Sequence, residues 1–97
     1  MIQNKKPIAN PVVVLREEFD DWAVLFNPET SNAVGINPVG VAVWKLMDGQ
    51  YSLEEIVAEI SDLFRDVPDT ALHNITAFVN DLSENGFVAY AFEGVGP

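Results

Sequence analysis

The strongest constraint in this sequence is a change of hydrophobic period at Asn37-Pro38. Before it, short apolar runs alternate with turn formers: Val12-Val13-Val14-Leu15, then Trp22-Ala23-Val24-Leu25-Phe26, then Ala33-Val34-Gly35-Ile36. Such β-branched and aromatic runs suit strands, which prefer a pleated, half-buried surface. The segments between them are a charged turn, Glu17 to Asp21, and the cluster Asn27-Pro28-Glu29-Thr30-Ser31-Asn32, where Pro28 presets φ for the second position of a turn. Spacing this short predicts hairpins, and three strands joined this way form an antiparallel meander.

After Asn37 the period is helical. Asn37 suits an N-cap and Pro38 the first helical position. Val39, Val43, Leu46 and Met47 recur at helical spacing with Trp44 alongside, and Asp48-Gly49 stops the helix. Ser52-Leu53-Glu54-Glu55 is a capping box opening a second helix over Leu53 to Phe64, with Leu53, Ile56, Val57, Ile60, Leu63 and Phe64 as its apolar stripe. Arg65 to Pro68 is a linker. A third helix starts at or beside Asp69, carries the stripe Leu72, Ile75, Phe78, Val79 and Leu82, and ends at Asn85-Gly86. Phe87 to Phe92 reads as a short final strand or extended tail. The expected fold is α+β and winged-helix-like, a three-stranded antiparallel N-terminal sheet followed by three helices. Residues 1–10 read as a flexible N-terminal segment, 11–92 as the domain and 93–97 as a flexible tail.

Charge narrows what such a domain can bind. The chain has 97 residues, 5 Lys+Arg against 15 Asp+Glu, and a net charge of −10. Nucleic acid is bound by releasing counterions to Lys and Arg, so this balance excludes it as a partner and disfavours anionic membranes. The third helix, which would read DNA in a winged helix, has no Lys or Arg between Pro68 and Gly86 and carries Asp69, Asp81 and Glu84. No clean apolar core follows Lys5-Lys6 to make a signal peptide, and no apolar run approaches the ~20 residues that cross a bilayer. The expected location is the cytoplasm. A hydrophobic fraction of 48% is too high for a disordered acidic tail.

Convergent chemistry for an enzyme is missing from the sequence. With no cysteine there is no disulfide framework, thiolate metal site or cysteine nucleophile. His73 is the sole histidine and reads as a surface or capping residue. There is no Ser nucleophile elbow and no phosphate-binding loop, and Gly94-Val95-Gly96 lacks a strand–helix context. Glu17-Glu18 and Asp20-Asp21 read as a solvated charge cluster on an exposed turn. Glu54, Glu55 and Glu59 belong to the capping and solvent face of the second helix. The expectation is therefore no catalytic residue, no metal site and no cofactor.

The third strand stands out instead. Asn32-Ala33-Val34-Gly35-Ile36 would lie at a sheet edge and contains no charge and no Pro, the usual guards against edge pairing. Ala33 and Gly35 are small on one face, which lets another backbone approach, although Gly35 equally fits a bulge. Val34 and Ile36 point toward the core. A peptide adding here would gain affinity from main-chain bonds and specificity from side-chain pockets. Those pockets are expected between this strand and the third helix, lined by Leu72, Ile75, Thr76 and Val79. Within that helix Ile75, Phe78 and Leu82 read mainly as core, and Leu72, Thr76 and Val79 as the groove edge. Trp44 reads as a core anchor; Trp22 fits either a half-exposed or a buried place.

The ordered set of strings resembles PqqD-like proteins. The resemblance rests on Leu15-Arg16-Glu17-Glu18-Phe19-Asp20-Asp21-Trp22, Leu25-Phe26-Asn27-Pro28-Glu29-Thr30 and Gly35-Ile36-Asn37. Val43-Trp44-Lys45-Leu46-Met47-Asp48-Gly49 before Ser52-Leu53-Glu54-Glu55-Ile56 adds to it, as does Phe78-Val79-Asn80-Asp81-Leu82 before Asn85-Gly86-Phe87-Val88. It spans roughly Pro11 to Val88, and no single motif is decisive. The resemblance implies a peptide chaperone, or RiPP recognition element. Such a domain binds the leader of a ribosomally made precursor peptide as a strand added to its third β-strand beside helix 3. It presents that leader to a modifying enzyme, commonly a radical S-adenosylmethionine enzyme, to which any S-adenosylmethionine or iron–sulfur cluster would belong. The acidic Glu17–Asp21 turn is one candidate contact for that enzyme. The chain departs from the pattern after Phe87, where the tail is longer and more hydrophobic. Tyr90 and Phe92 could cover the sheet, swap between protomers of a homodimer, or dock a partner. Two other readings stay open: an acidic winged-helix regulatory domain binding a basic protein, and a small metal-dependent enzyme.

Overall fold

A computed structural model describes residues 5–18, 20 and 22–92. The change of period falls where the sequence puts it. The Asn37 side chain accepts the Gly40 backbone N–H at 2.8 Å, Pro38 takes the first helical position, and helix α1 runs Pro38–Leu46. Gly49, with φ +84, follows the helix end. Helix α2 is Leu53–Leu63, opened by both bonds of the capping box: Ser52 N–H to Glu55 Oε1 at 2.8 Å and Glu55 N–H to Ser52 Oγ at 3.2 Å. Helix α3 is Ala71–Glu84; its N-cap Thr70 makes no side-chain capping bond to a backbone N–H, and its Oγ1 instead accepts from Asn74 Nδ2 at 3.2 Å.

Among the described residues five strands accompany the helices. Strands β1 (Lys5–Ala9), β2 (Val14–Glu17), β3 (Ala23–Asn27) and β4 (Asn32–Ile36) precede α1, and β5 (Val88–Phe92) follows α3. The expected meander is present as an antiparallel sheet in the order β2-β3-β4. Its hairpin register runs from Asn27 opposite Asn32 to Ala23 opposite Ile36. The first of these strands begins two residues later than the apolar run suggests. Asn10 accepts the Val12 N–H on its side chain at 3.1 Å and the Val13 N–H on its carbonyl at 3.0 Å, so Val12 and Val13 are held in a turn.

The N-terminal segment differs from expectation. Lys5–Ala9 form β1, antiparallel to β5, with Lys5 opposite Phe92 and Ala9 opposite Val88. On its other side Ala9 N–H donates to Met47 O at 2.8 Å, and Pro7 O accepts the Gly49 N–H at 3.1 Å. Pro7 fits because the ring removes a donor while its carbonyl stays in use. These residues belong to the folded unit and do not stand apart from it. The final strand fulfils one of the options for the tail, and it explains Tyr90, whose hydroxyl donates to Asn80 Oδ1 at 2.6 Å on α3. Residues 1–4 and the tail 93–97 lie outside the described residues.

The core lies between the inner face of the meander and the three helices. Leu25, Val43, Ile56 and Val79 are fully buried, joined by Trp44 and Phe87. Strand alternation decides which residues enter it: Ala23, Leu25 and Asn27 face inward on β3, while Phe26 faces out. Asn27 is the single buried polar residue among the described residues, and it is satisfied. Its Nδ2 donates to Gly86 O at 3.0 Å, and its Oδ1 accepts the Glu29 N–H at 2.9 Å. Gly86 O takes a second bond, from Asn10 Nδ2 at 3.0 Å. Gly86 has φ +86, and a Cβ there would sit 3.3 Å from Asn27 Nδ2, so glycine suits this junction twice over.

Candidate functional site

Strand β4 has one hydrogen-bonded neighbour, β3, so among the described strands its other side is a free edge. Val34 is half-buried and Ile36 is buried, while Ala33 and Gly35 are exposed on the opposite face, as the alternation predicts. A Cβ built on Gly35 would meet nothing within 4 Å, so the space beside it is open.

Two hollows follow this edge, and both are lined by Gly35 and Phe78. The first, of about 340 Å³, lies at the C-terminal end of β4 where α1 begins. Its walls are apolar side chains of Trp22, Ile36, Val39, Val43, Ile75 and Phe78, with Asn37 and Asn74 as polar neighbours. Gly40 shapes it: a Cβ there would lie 3.1 Å from Ile36 Cβ and 3.3 Å from Phe78 Cζ, so the missing side chain lets α1 approach both. The second hollow, of about 410 Å³, lies at the N-terminal end of β4 and is lined by Asn32, Ala33, Val34, Phe78, Leu82 and Phe87, with Asp81 and Asn85. Asn32 Nδ2 reaches Asn85 O at 3.5 Å across this end.

All five predicted β4 residues line this groove. The α3 residues divide. Ile75 lines the first hollow, although it is itself 6% exposed. Val79 is fully buried and faces the core, which corrects its assignment to the groove edge. Leu72 is exposed and Thr76 half-buried, but neither lines either hollow. Besides the buried Ile75 and Leu82, the residues that α3 and its C-cap present to the groove are Asn74, Phe78, Asp81 and Asn85, at i, i+4, i+7 and i+11. Phe78, read from sequence mainly as core, is half-buried at the junction of the two hollows. The available signal was that stripe, one aromatic residue at helical spacing among polar ones. Trp22 is 51% exposed and lines the first hollow, which resolves the two places open to it. Trp44 is a core residue, as expected.

Elsewhere the polar groups have structural roles. In the acidic turn Glu17 pairs with Lys45 of α1 at 2.9 Å and Glu18 with Arg16 at 3.5 Å; Phe19 and Asp21 lie outside the described residues. His73 is exposed on α3 and lines neither hollow. No group of three or more His, Cys, Asp or Glu that could hold a metal ion occurs among the described residues. No described helix is long and apolar enough to cross a membrane. Burial raises the Tyr90 hydroxyl above its usual pKa. The groove therefore offers main-chain donors and acceptors along one side and a largely apolar wall on the other, which is chemistry for binding an extended chain.

Comparison with known proteins bears on that geometry. Residues 23–88, well over half of the chain, match the family model of coenzyme PQQ synthesis protein D (PqqD). No curated protein sequence matches the chain. Its fold is similar to that of TbiB1 in complex with the TbiA(beta) leader peptide, with a TM-score of 0.69 and 24% identity over 93% of this chain and 99% of that one. It is also similar to lasso peptide synthetase B1 complexed with the leader peptide, with a TM-score of 0.70 and 17% identity over 87% and 98% of the two chains. A third similar structure is a heterocyclase in complex with substrate and cofactor, with a TM-score of 0.62 and 20% identity, where 95% of this chain corresponds to 11% of that one. At these identities the likeness is one of fold.

Proposed function

The chain belongs to the PqqD family, and on that premise we propose that it is a non-catalytic peptide-binding domain, a RiPP recognition element. It takes the leader of a ribosomally made precursor as a strand along β4. The observation that carries this reading is the pair of hollows beside the uncharged free edge of β4, joined at Gly35 and Phe78. An incoming strand pairs its main chain with β4 and turns alternate side chains toward α3. Phe78 and Trp22 supply the aromatic surface that such an anchor residue needs. Two of the similar structures hold leader peptides, which supports the same kind of ligand here.

The bound leader is presented to a peptide-modifying enzyme. A radical S-adenosylmethionine enzyme is the class that the family resemblance implies, and the heterocyclase similarity supports a wider range of modifying partners. The acidic turn, Glu17 to Asp21, is one candidate contact for that enzyme. A homodimer that paired two copies through β4 would occupy the same edge, so self-association of that kind and leader binding exclude each other.

The test is calorimetric titration with leader peptides encoded beside this gene. Micromolar binding is expected, lost about 30-fold or more in Phe78→Ala, the scale of an interface anchor. N-methylation of the peptide at successive residues should abolish binding at every second position, because alternate N–H groups face β4. No binding at high micromolar concentration, or indifference to N-methylation, would sink the reading. A steep loss of partner binding with salt would instead point to a basic protein as the ligand.

A further inference from the structure

The two ends of the groove differ in chemistry. The end at Trp22 and Val39 is walled mainly by apolar side chains. The end at Asn32 has an apolar floor, Phe78, Leu82 and Phe87, beneath a polar rim of Asn32, Asp81 and Asn85. Among the described residues the Asp81 carboxylate makes no hydrogen bond and no ion pair; only its backbone carbonyl is used, accepting from Asn85 Nδ2 at 2.8 Å. The placement also breaks a local rule. Asp81 and Glu84 lie in the last turn of α3, the negative end of the helix dipole, where basic side chains are favoured, and that turn has none. No Lys or Arg occurs from Pro68 to the end of the chain to compensate. Sequences that break a local rule without an internal compensation do so most often at functional sites.

We propose that this end of the groove is a subsite for a basic side chain. Peptides that pair with β4 then carry a Lys or Arg on the face turned toward α3, two or four residues from the bulky apolar residue seated against Phe78 and Trp22. An amphipathic side chain fits both halves of the hollow: its methylene stem covers Phe78 and Leu82 while its head reaches Asp81 at the rim. Same-face side chains of a strand recur about every 6.6 Å, which sets the spacing of two or four residues between hollows that meet at Phe78. The inference rests on the strand-addition reading above and deepens it.

The test pans a random 12-residue displayed peptide library against the full chain, Asp81→Asn, and Glu59→Gln, which removes a charge from the exposed face of α2. Peptides selected by the wild-type chain should carry a basic residue at the stated spacing from an apolar one. Those selected by Asp81→Asn should keep the apolar residue and lose the basic preference, and those selected by Glu59→Gln should keep both. In titrations, replacing the basic residue of a selected peptide by Gln should weaken binding three- to tenfold on the wild type and less than twofold on Asp81→Asn. The subsite is overturned if no basic preference emerges, if Asp81→Asn retains it, or if Glu59→Gln loses it equally, which would make it a bulk charge effect. In each case, binding that still depends on Phe78 leaves strand addition standing; selected peptides indifferent to Phe78→Ala overturn both.

Discussion

The two edges of the three-stranded sheet are built differently. β2 carries Arg16 and Glu17, and its charges are engaged: Glu17 reaches Lys45 of α1, and Arg16 reaches Glu18. β4 carries no charge, no Pro and a glycine, and it runs beside two hollows. Charged residues on an edge discourage another chain from pairing with it. The same sheet is therefore defended on one side and open on the other. None of the charged residues behind the −10 net charge falls on the five residues of that open edge. An edge left undefended in a chain otherwise rich in charge is best explained by a strand meant to arrive there.

The contrast can be broken most directly by moving a guard. Ala33→Lys places a charge on exposed β4 and should weaken leader binding about tenfold, with little change in melting temperature. Val14→Lys, at an exposed site on β2, should leave binding unchanged. Titration of both variants decides it, and equal losses would erase the distinction between the edges. A smaller effect separates stability from binding. Tyr90→Phe removes the hydroxyl bond to Asn80 and should cost about 1 kcal/mol in denaturant unfolding while leaving leader affinity intact. Because burial raises the Tyr90 pKa from 10.0, its contribution to stability is fully present below that pH and lost as pH rises through the higher folded value. The wild type should therefore lose stability above about pH 10 more steeply than Tyr90→Phe. The smallest effect is expected at the defended edge itself. Lys45→Met breaks an exposed pair and should shift stability by less than about 1 kcal/mol, with no change in leader binding. A large loss of binding in that variant would show that β2 takes part in the site.

Local chemistry made most of the fold readable. The N-cap at Asn37, the capping box at Ser52 and the turn at Asn27–Ser31 act within a few residues, and each sets an element where the sequence puts it. β1 was hidden because its evidence is non-local. Lys5-Lys6-Pro7 resembles a loop until β5, more than eighty positions on, supplies the partner. The candidate site divided along the same line. β4 was legible because composition alone marks an undefended edge. The face of α3 was not, since its stripe from Leu72 to Leu82 is wider than one packing surface and sequence does not fix its rotation. Val79 therefore went to the core and Phe78 to the groove, the reverse of their expected places.

The Gly86 carbonyl, held by both Asn10 and Asn27, ties the β3–β4 hairpin to the end of α3 and to the chain leaving β1. The groove thus works as a caliper whose pivot is locked at one end. On the strand-addition reading, its two jaws, β4 and α3, are tied together at that end before any peptide arrives. A ligand then loses its own freedom on binding but does not have to order the protein, and that saving falls directly on affinity. The gauge also works in reverse: a segment too thick for the fixed gap at the Asn32 end is refused there, whatever its sequence elsewhere.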